Sequence, residues 1–129
     1  MRKLVLAAIV VLVLVANLAV AGTINRSWQI SVAADATTAQ TATMNYLGQA
    51  ATIFQMKVVI PDTTNGVTFT VAITDSAGRT IRAYAGLADN TTHILIPVRV
   101  VSPGCVLSVL PSGATGNALT VTIEPSFMD

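Results

Sequence analysis

His93 and Cys105 are the single histidine and the single cysteine of this 129-residue chain, and they limit the chemistry that it can do. Nucleophilic catalysis needs a nucleophile, a base and a group that orients the base, and no serine stands in a Gly-x-Ser-x-Gly turn. Zinc sites take three or four Cys, His or carboxylate ligands, which one histidine and one cysteine do not supply. We therefore expect no catalytic residue, no cofactor and no metal, and a function other than catalysis.

Two loops carry enough oxygen ligands to raise calcium as an alternative. Residues 62–66 (DTTNG) hold an aspartate, two threonines and an asparagine, and residues 89–91 (DNT) hold a second group. Calcium takes six to eight oxygen ligands, and neither loop has the acidic series of a calcium-binding loop. Asp and Asn in short loops commonly bond their own backbone, so both stretches are interpreted as turns.

Arg82 and Tyr84 form the one candidate surface contact patch. In residues 80–84 (TIRAY), Thr80, Arg82 and Tyr84 alternate with Ile81 and Ala83, as on the two faces of a strand. This alternation predicts that the arginine and the tyrosine stand together on the outer face. The alternative interpretation is an exposed pair that makes only a weak cation–π contact.

The elements that must position these residues are β-strands. Val67–Thr74 and Ala118–Glu124 alternate apolar and polar residues, and Asn-Gly and Asp-Ser-Ala-Gly turns lie between apolar runs. Short strands with turn signals at such intervals predict an all-β fold: an antiparallel two-sheet β-sandwich, jelly-roll or Ig-like, of about seven short strands. The remaining strands are expected at 23–32, 51–60, 79–85, 91–101 (split by a proline) and 105–110, with 33–49 an irregular connection holding one strand-like piece.

The apolar alternation also predicts the core. Val67, Phe69, Val71 and Ile73 share one face of a strand and are expected to be buried. Cys105 lies on the apolar face of a later strand and is interpreted as a small buried side chain, because free cysteine is among the most buried residue types.

Residues 1–21 have the composition of an export signal. Two basic residues precede an apolar run that begins at Leu4, and Ala19-Val20-Ala21 has small residues at its first and third positions. This arrangement describes a secretory signal peptide, here a hydrophobic signal helix, and predicts cleavage that leaves a single β-sandwich domain over residues 22–129. An uncleaved membrane anchor over residues 4–21 is the alternative, since a span needs about 20 residues.

The charges beyond residue 21 are few and scattered. Five lysines and arginines stand against six aspartates and glutamates, a net charge of −1. Nucleic-acid binding rests on clustered Lys and Arg, and attraction to an anionic membrane surface rests on a polybasic segment. We expect no nucleic-acid partner, and membrane contact only through residues 4–21 if they stay uncleaved. The threonine-rich strand faces with few charges favour protein partners or self-assembly.

The stretch from Ala51 to Glu124 resembles a known group of proteins. Lys57–Pro61 leads through a Thr/Asn/Gly turn to TFTVAITDSAGRTI (68–81), and the stretch ends in PSGATGNALTVTIE (111–124). This combination of alternation, turns and threonine content resembles the small β-sandwich accessory proteins of tailed-bacteriophage virions. The resemblance implies a structural or decoration role on a virion, in repeated copies and without enzyme activity, and it carries over no functional residue.

Two functions follow. The first is a non-enzymatic structural or interaction module, associated with a virion as a structural or decoration protein. The alternative, which the export signal favours, is a secreted or cell-surface β-sandwich of a host that acts in adhesion or ligand binding. The expected location is exported, extracellular or virion-associated, and membrane-anchored if the signal is retained.

Overall fold

The computed structural model describes residues 23–45 and 50–128. The signal peptide or anchor predicted over residues 1–21 lies outside this part of the chain. Ten strands, all in antiparallel pairs, form two sheets here. They are β1 (Thr23–Asn25), β2 (Trp28–Val32), β3 (Gln40–Thr43), β4 (Ala51–Ile60), β5 (Thr68–Thr74), β6 (Thr80–Ala88), β7 (Thr91–Leu95), β8 (Arg99–Val101), β9 (Val106–Pro111) and β10 (Leu119–Met128).

The first sheet has two long central strands and two interrupted edges. β10 pairs with β4 at its centre. β1 and β2 follow one another along the free side of β10, and β7 and β8 follow one another along the free side of β4. The second sheet has the order β3-β9-β5-β6. Each sheet is therefore four strands wide, and the β7–β8 segment forms one outer edge of the first sheet.

The two sheets enclose one hydrophobic core. Alternate side chains of β4 and β10 are buried on one side of the first sheet, and alternate side chains of β5 and β9 are buried in the second. Apart from Pro111 and Pro125, they belong to a single cluster, in which the Trp28 and Phe127 rings meet edge to face with centroids 6.3 Å apart. The described residues thus form a β-sandwich. The largest fully buried side chains are Phe69, Phe127, Met44, Ile53, Met56, Ile60, Ile73, Leu107, Ile123, Val32, Val58 and Val71.

The side chains predicted to form the core are buried or half-buried, as the alternation of apolar and polar residues indicates. Phe69, Val71 and Ile73 are fully buried, Val67 is half-buried against the cluster, and Cys105 is a buried free cysteine. The alternation of apolar residues along these strands is therefore confirmed as the pattern that builds the core.

The structure has ten strands where about seven were expected, because some segments counted as one strand or as a connection form separate strands. The break at Arg26–Ser27 was not predicted. The break at Ile96–Val98 falls at the predicted proline, and Gln40–Thr43 is the strand-like piece expected in the connection. β10 also continues past Glu124 through Pro125. The carbonyl of Pro125 accepts the N–H of Arg26 at 3.2 Å, so the missing proline N–H faces the break between β1 and β2.

The turn between β5 and β6 is the predicted four-residue turn. The Asp75 carboxylate accepts the backbone N–H of Ala77 at 3.0 Å and of Arg79 at 2.9 Å, and Gly78 takes φ +82°. Bonding by Asp to its own turn and glycine in the left-handed region are what such a turn requires.

Four connections meet at the opposite end of the sandwich, and Gly116 lies where they approach most closely. Gly116 has φ +81°, and a Cβ built on it would lie 2.9 Å from the Thr64 Cβ. Its N–H donates to the carbonyl of Ala34 at 3.0 Å. Only a residue without a side chain fits this position.

Gly116→Ala and Gly78→Ala together test the role of close packing at this end. Both glycines have nearly the same positive φ, but a Cβ at Gly78 meets nothing within 4 Å. Gly78→Ala should therefore cost only the left-handed backbone penalty of about 1–2 kcal/mol, and Gly116→Ala should cost measurably more. The free energy of unfolding from urea denaturation gives the comparison. Equal losses in the free energy of unfolding would show that the loops around Gly116 can move apart without a free-energy cost.

Candidate functional site

Arg82 and Tyr84 are brought together on β6, the edge strand of the second sheet. The Arg82 Cζ lies 5.3 Å from the centre of the Tyr84 ring, with the arginine exposed. Tyr84 is half-buried and packs against the core cluster, and its buried hydroxyl has no hydrogen-bond partner among the described residues. The predicted pair therefore exists, while its use as a contact patch stays a prediction.

The expectation that this pair stands on the outer face is wrong. Tyr84 lies opposite Val71, and Arg82 lies opposite Ile73, both of which face the core. Directly opposed residues share one face of a sheet. The register shifts where Thr74 pairs with Thr80, so Ile81 is an extra residue that reverses the alternation beyond it.

The loop end is held by a polar network that involves both calcium candidates. The Thr63 hydroxyl donates to the Asp89 carboxylate, the Thr63 N–H donates to the same oxygen at 2.9 Å, and the Thr64 N–H donates to Asn117 Oδ1 at 2.8 Å. Thr115 is fully buried, and its hydroxyl donates to the carbonyl of Asn117 at 2.7 Å. No group of three or more His, Cys, Asp or Glu side chains able to hold a metal occurs in residues 23–45 and 50–128. Thr63 thus donates twice to the Asp89 carboxylate, one of the oxygen groups on which the calcium alternative was based.

His93 and Cys105 lie apart and have structural surroundings. His93 is half-buried at the edge of the first sheet, where its Nε2 lies 2.8 Å from the carbonyl of Ala88. Cys105 is buried, with its Sγ 3.8 Å from the hydroxyl of Ser102. Neither side chain lines the charged hollow of the first sheet.

That hollow, of about 410 Å³, lies at the break between β1 and β2. Lys57 and Glu124 form an ion pair at 3.4 Å on its wall, both nearly half exposed. The Ser126 hydroxyl donates to Asn25 Oδ1 at 2.7 Å. Glu124 is the one carboxylate among its lining residues, whereas glycoside hydrolysis uses two carboxyl groups facing each other.

The most unusual surface is a row of four apolar side chains on the β7–β8 edge. Ile94, Ile96, Val98 and Val100, here called the edge row, are 54%, 67%, 56% and 65% exposed. β2, at the opposite edge of the same sheet, exposes only the polar side chains of Gln29 and Ser31. A sheet edge with several exposed apolar side chains is a candidate for contact with another chain.

The backbone of the edge row is strained at Val98, between its two most exposed side chains. Val98 has φ +42°, a left-handed conformation that is a true outlier for a β-branched residue. The Arg99 guanidinium donates to the carbonyls of Val98 at 3.1 Å and of Pro97 at 3.4 Å. Such strain is concentrated at sites of contact and binding. Arg99 therefore satisfies these carbonyls and places its exposed, charged guanidinium beside the row.

The sequence predicted this edge but not its apolar row. Pro97 inside an apolar run indicated an edge strand or a bend, and the structure has both. Residues 94–98 are all apolar, so alternation could not indicate which side chains face solvent.

Comparisons with known proteins give distant structural likenesses. No family model and no curated protein matches the sequence. A Yersinia pseudotuberculosis-derived mitogen is 9% identical, with 84% of this chain and 87% of that chain covered and a TM-score of 0.45. A chain of the cyanophage Pam1 capsid is 13% identical, with 83% and 84% covered and a TM-score of 0.46. The Drosophila NLP core is 14% identical, with 82% and 98% covered and a TM-score of 0.42. Likenesses of this degree carry no argument about function.

Within the described ranges, no helix has the length and hydropathy of a membrane span.

Asp89 makes the loop network sensitive to acid. The hydroxyl of Thr63, and after it the backbone N–H of Thr63, hold the pKa of Asp89 below its ordinary value of 3.8. A carboxyl whose pKa is lowered by folding stabilises the fold above its unfolded pKa and loses that contribution as the pH falls through its folded pKa.

Asp89→Asn should therefore lower the free energy of unfolding at neutral pH, and its difference from wild type should shrink as the pH falls below 3.8. Urea denaturation over a pH series measures this difference. Asp35→Asn, at an exposed position of the same loop end, is the control. The pKa of Asp75 is also lowered, first by the backbone N–H of Arg79, but this effect is common to all three proteins. A pH-independent difference between Asp89→Asn and wild type would contradict the assignment.

Proposed function

We propose that this chain is a non-enzymatic structural or interaction module that acts by protein–protein contact through the edge row. One observation carries the proposal: Ile94, Ile96, Val98 and Val100 are each more than half exposed along the edge segment formed by β7, β8 and the residues between them. Soluble proteins usually protect such edges with charges, bulges or short strands. This edge has a proline and a single arginine, yet its apolar side chains stay open to solvent.

The strand order supports a more specific fold class, the jelly roll. Consecutive strands of the described residues mostly pass from one sheet to the other, and among them only β5 and β6 are both consecutive and paired. Two sheets four strands wide with these crossings favour the jelly-roll arrangement over the constant-type Ig arrangement, whose sheets have four and three strands. Jelly rolls are common in viral capsid and lectin domains. This is a fold-level analogy and adds to the proposal without carrying it.

A role outside catalysis is consistent with the placement of the reactive side chains. His93 contacts a backbone carbonyl at an edge, Cys105 is buried against Ser102, and the charged hollow holds Glu124 as its one carboxylate. An active site needs such groups within hydrogen-bond reach of one another. We therefore place the function in the surface rather than in a pocket.

Within this class, we favour a virion-associated structural or decoration protein. The resemblance of residues 51–124 to accessory proteins of tailed-phage virions points there, and assembly in repeated copies would use an exposed apolar edge. The second candidate is a secreted or cell-surface β-sandwich, which the export-type composition of residues 1–21 favours. It predicts a mature chain that begins at Gly22 and is recovered free in the medium.

The double variant Ile96→Lys/Val98→Lys tests the contact. The full chain is recovered from the cells that express it and is sedimented. Wild type should sediment as a large assembly, and the double variant should sediment slowly. Both positions are exposed, so stability should change by no more than about 1 kcal/mol, which thermal unfolding verifies.

Leu110→Lys is the control, because Leu110 is an exposed apolar side chain on β9 of the other sheet, where its neighbours Val109 and Pro111 are the buried ones. It should sediment like wild type. Wild type that is slow-sedimenting under all conditions would contradict the structural role. A double variant that assembles like wild type would show that contact is made elsewhere.

A further inference from the structure

We infer that Asn65 is a site of spontaneous deamidation, and that this modification loosens the loop end of the sandwich as the protein ages. The reaction needs water and no enzyme. The inference is independent of the edge row and of the proposed function, because it concerns the covalent chemistry of one loop.

Asn65 and Gly66 supply the two groups that react. The backbone nitrogen of Gly66 attacks Cγ of the Asn65 side chain and forms a succinimide ring. The Cγ–Nδ2 bond breaks, and the amide nitrogen takes up the proton of the Gly66 nitrogen and leaves as ammonia. One water molecule then opens the ring. Cleavage between Cγ and the Gly66 nitrogen gives aspartate, and cleavage between the main-chain carbonyl and that nitrogen gives isoaspartate.

The residue that follows an asparagine decides how easily this attack occurs. Asparagine is a thermolabile residue in general, and Gly66 has no side chain to crowd the approach of its nitrogen to Asn65. Arginine, tyrosine, threonine and alanine follow the other asparagines of the described residues, which are Asn25, Asn45, Asn90 and Asn117. The pair at 65–66 is therefore the most reactive of the five.

The fold leaves this pair open to the reaction. Asn65 and Gly66 are both exposed. The N–H of Gly66 donates to the carbonyl of Thr63 at 3.4 Å, which is longer than the usual range of about 2.7–3.2 Å for such a bond. The attacking nitrogen thus belongs to a solvent-accessible residue and is weakly held in its turn.

Deamidation removes a bond that joins two connections. The Asn65 Nδ2 donates to the carbonyl of Ala114 at 2.8 Å, and the Asn65 N–H donates to the carbonyl of Thr115 at 3.2 Å. An ionised carboxylate has no hydrogen to donate, so an aspartate oxygen at this position would repel the carbonyl oxygen of Ala114. Isoaspartate lengthens the main chain through the former side chain and thereby displaces the turn from Thr63 to Gly66.

The charge of the loop end makes the new carboxylate more unfavourable. The connections 33–39, 61–67, 89–90 and 112–118 hold three aspartates and no lysine or arginine. Repulsion between like charges destabilises the compact state. The change from amide to carboxylate therefore removes a contact and adds a fourth negative charge that no cation of these connections offsets.

Peptide mapping of the aged protein tests the site. The full chain is kept folded at mildly alkaline pH, which promotes loss of the proton from the attacking nitrogen, and mass spectrometry follows each asparagine. The expected result is loss of the Asn65 amide while the other asparagines of the described residues stay intact.

Gly66→Ala is the control for the site. A Cβ at this position meets nothing within 4 Å, but the methyl group crowds the attacking nitrogen, so Asn65 should stay intact in this variant. Loss spread over several asparagines would overturn the site. An Asn65 that persists in wild type as long as in Gly66→Ala would overturn it as well.

Urea denaturation tests the consequence. Asn65→Asp removes the donor to Ala114 and adds one charge. Asn90→Asp adds the same charge to the same loop end, where Asn90 donates its backbone N–H to the carbonyl of Pro61 at 3.1 Å. The midpoint should fall further for Asn65→Asp than for Asn90→Asp, and it should also fall for aged wild type that ion exchange separates from fresh protein. Equal midpoints for aged and fresh wild type would overturn the loosening. Equal midpoints for the two variants would overturn its assignment to the lost bond with Ala114.

Discussion

The core shared between the two sheets is the constraint on which the other features of this molecule depend. Neither sheet can bury its apolar face alone, so β4 and β10 of one sheet and β5 and β9 of the other must place alternate side chains in the same cluster. A slip of one residue in any of these strands would turn its apolar set to solvent. The register of the central strands is therefore fixed over most of their length, with one shift between Ser126 and Phe127 in the β10–β4 pair.

The two edges of the first sheet differ in the side chains that they expose. A sheet that does not close on itself has two edge strands with unpaired backbone groups on one side. At one edge of the first sheet, β2 turns polar side chains outward. At the other, β7 and β8 turn isoleucines and valines outward, and the backbone between them is strained at Val98. The same fold thus has a protected edge and an open one, which is why we place the contact with other chains on the β7–β8 edge.

Much of the fold could be predicted from the sequence, because strict alternation of apolar and polar residues indicates which face of a strand is buried. Phe69, Val71 and Ile73 are core as expected, and the Asp75–Gly78 turn forms as its residues indicate. The predictions were wrong where tertiary contacts decide the outcome. The extra residue at Ile81 moves the side chains of Arg82 and Tyr84 from the expected outer face of the sheet to its core-facing side. Pro125 stays in its strand because the side on which it lacks an N–H faces a break in the neighbouring strands. The edge row was missed because residues 94–98 are apolar on both faces.

Backbone amide hydrogen exchange of the full chain, compared between the dilute and the assembled protein, tests the central claim most directly. Amides of residues 91–101 belong to an open edge, and those not bonded to β4 should exchange quickly when the chain is dilute. We predict that assembly slows exchange in this segment and leaves the opposite edge, residues 23–32, unchanged. Protection of residues 23–32 with no change over residues 91–101 would contradict the account.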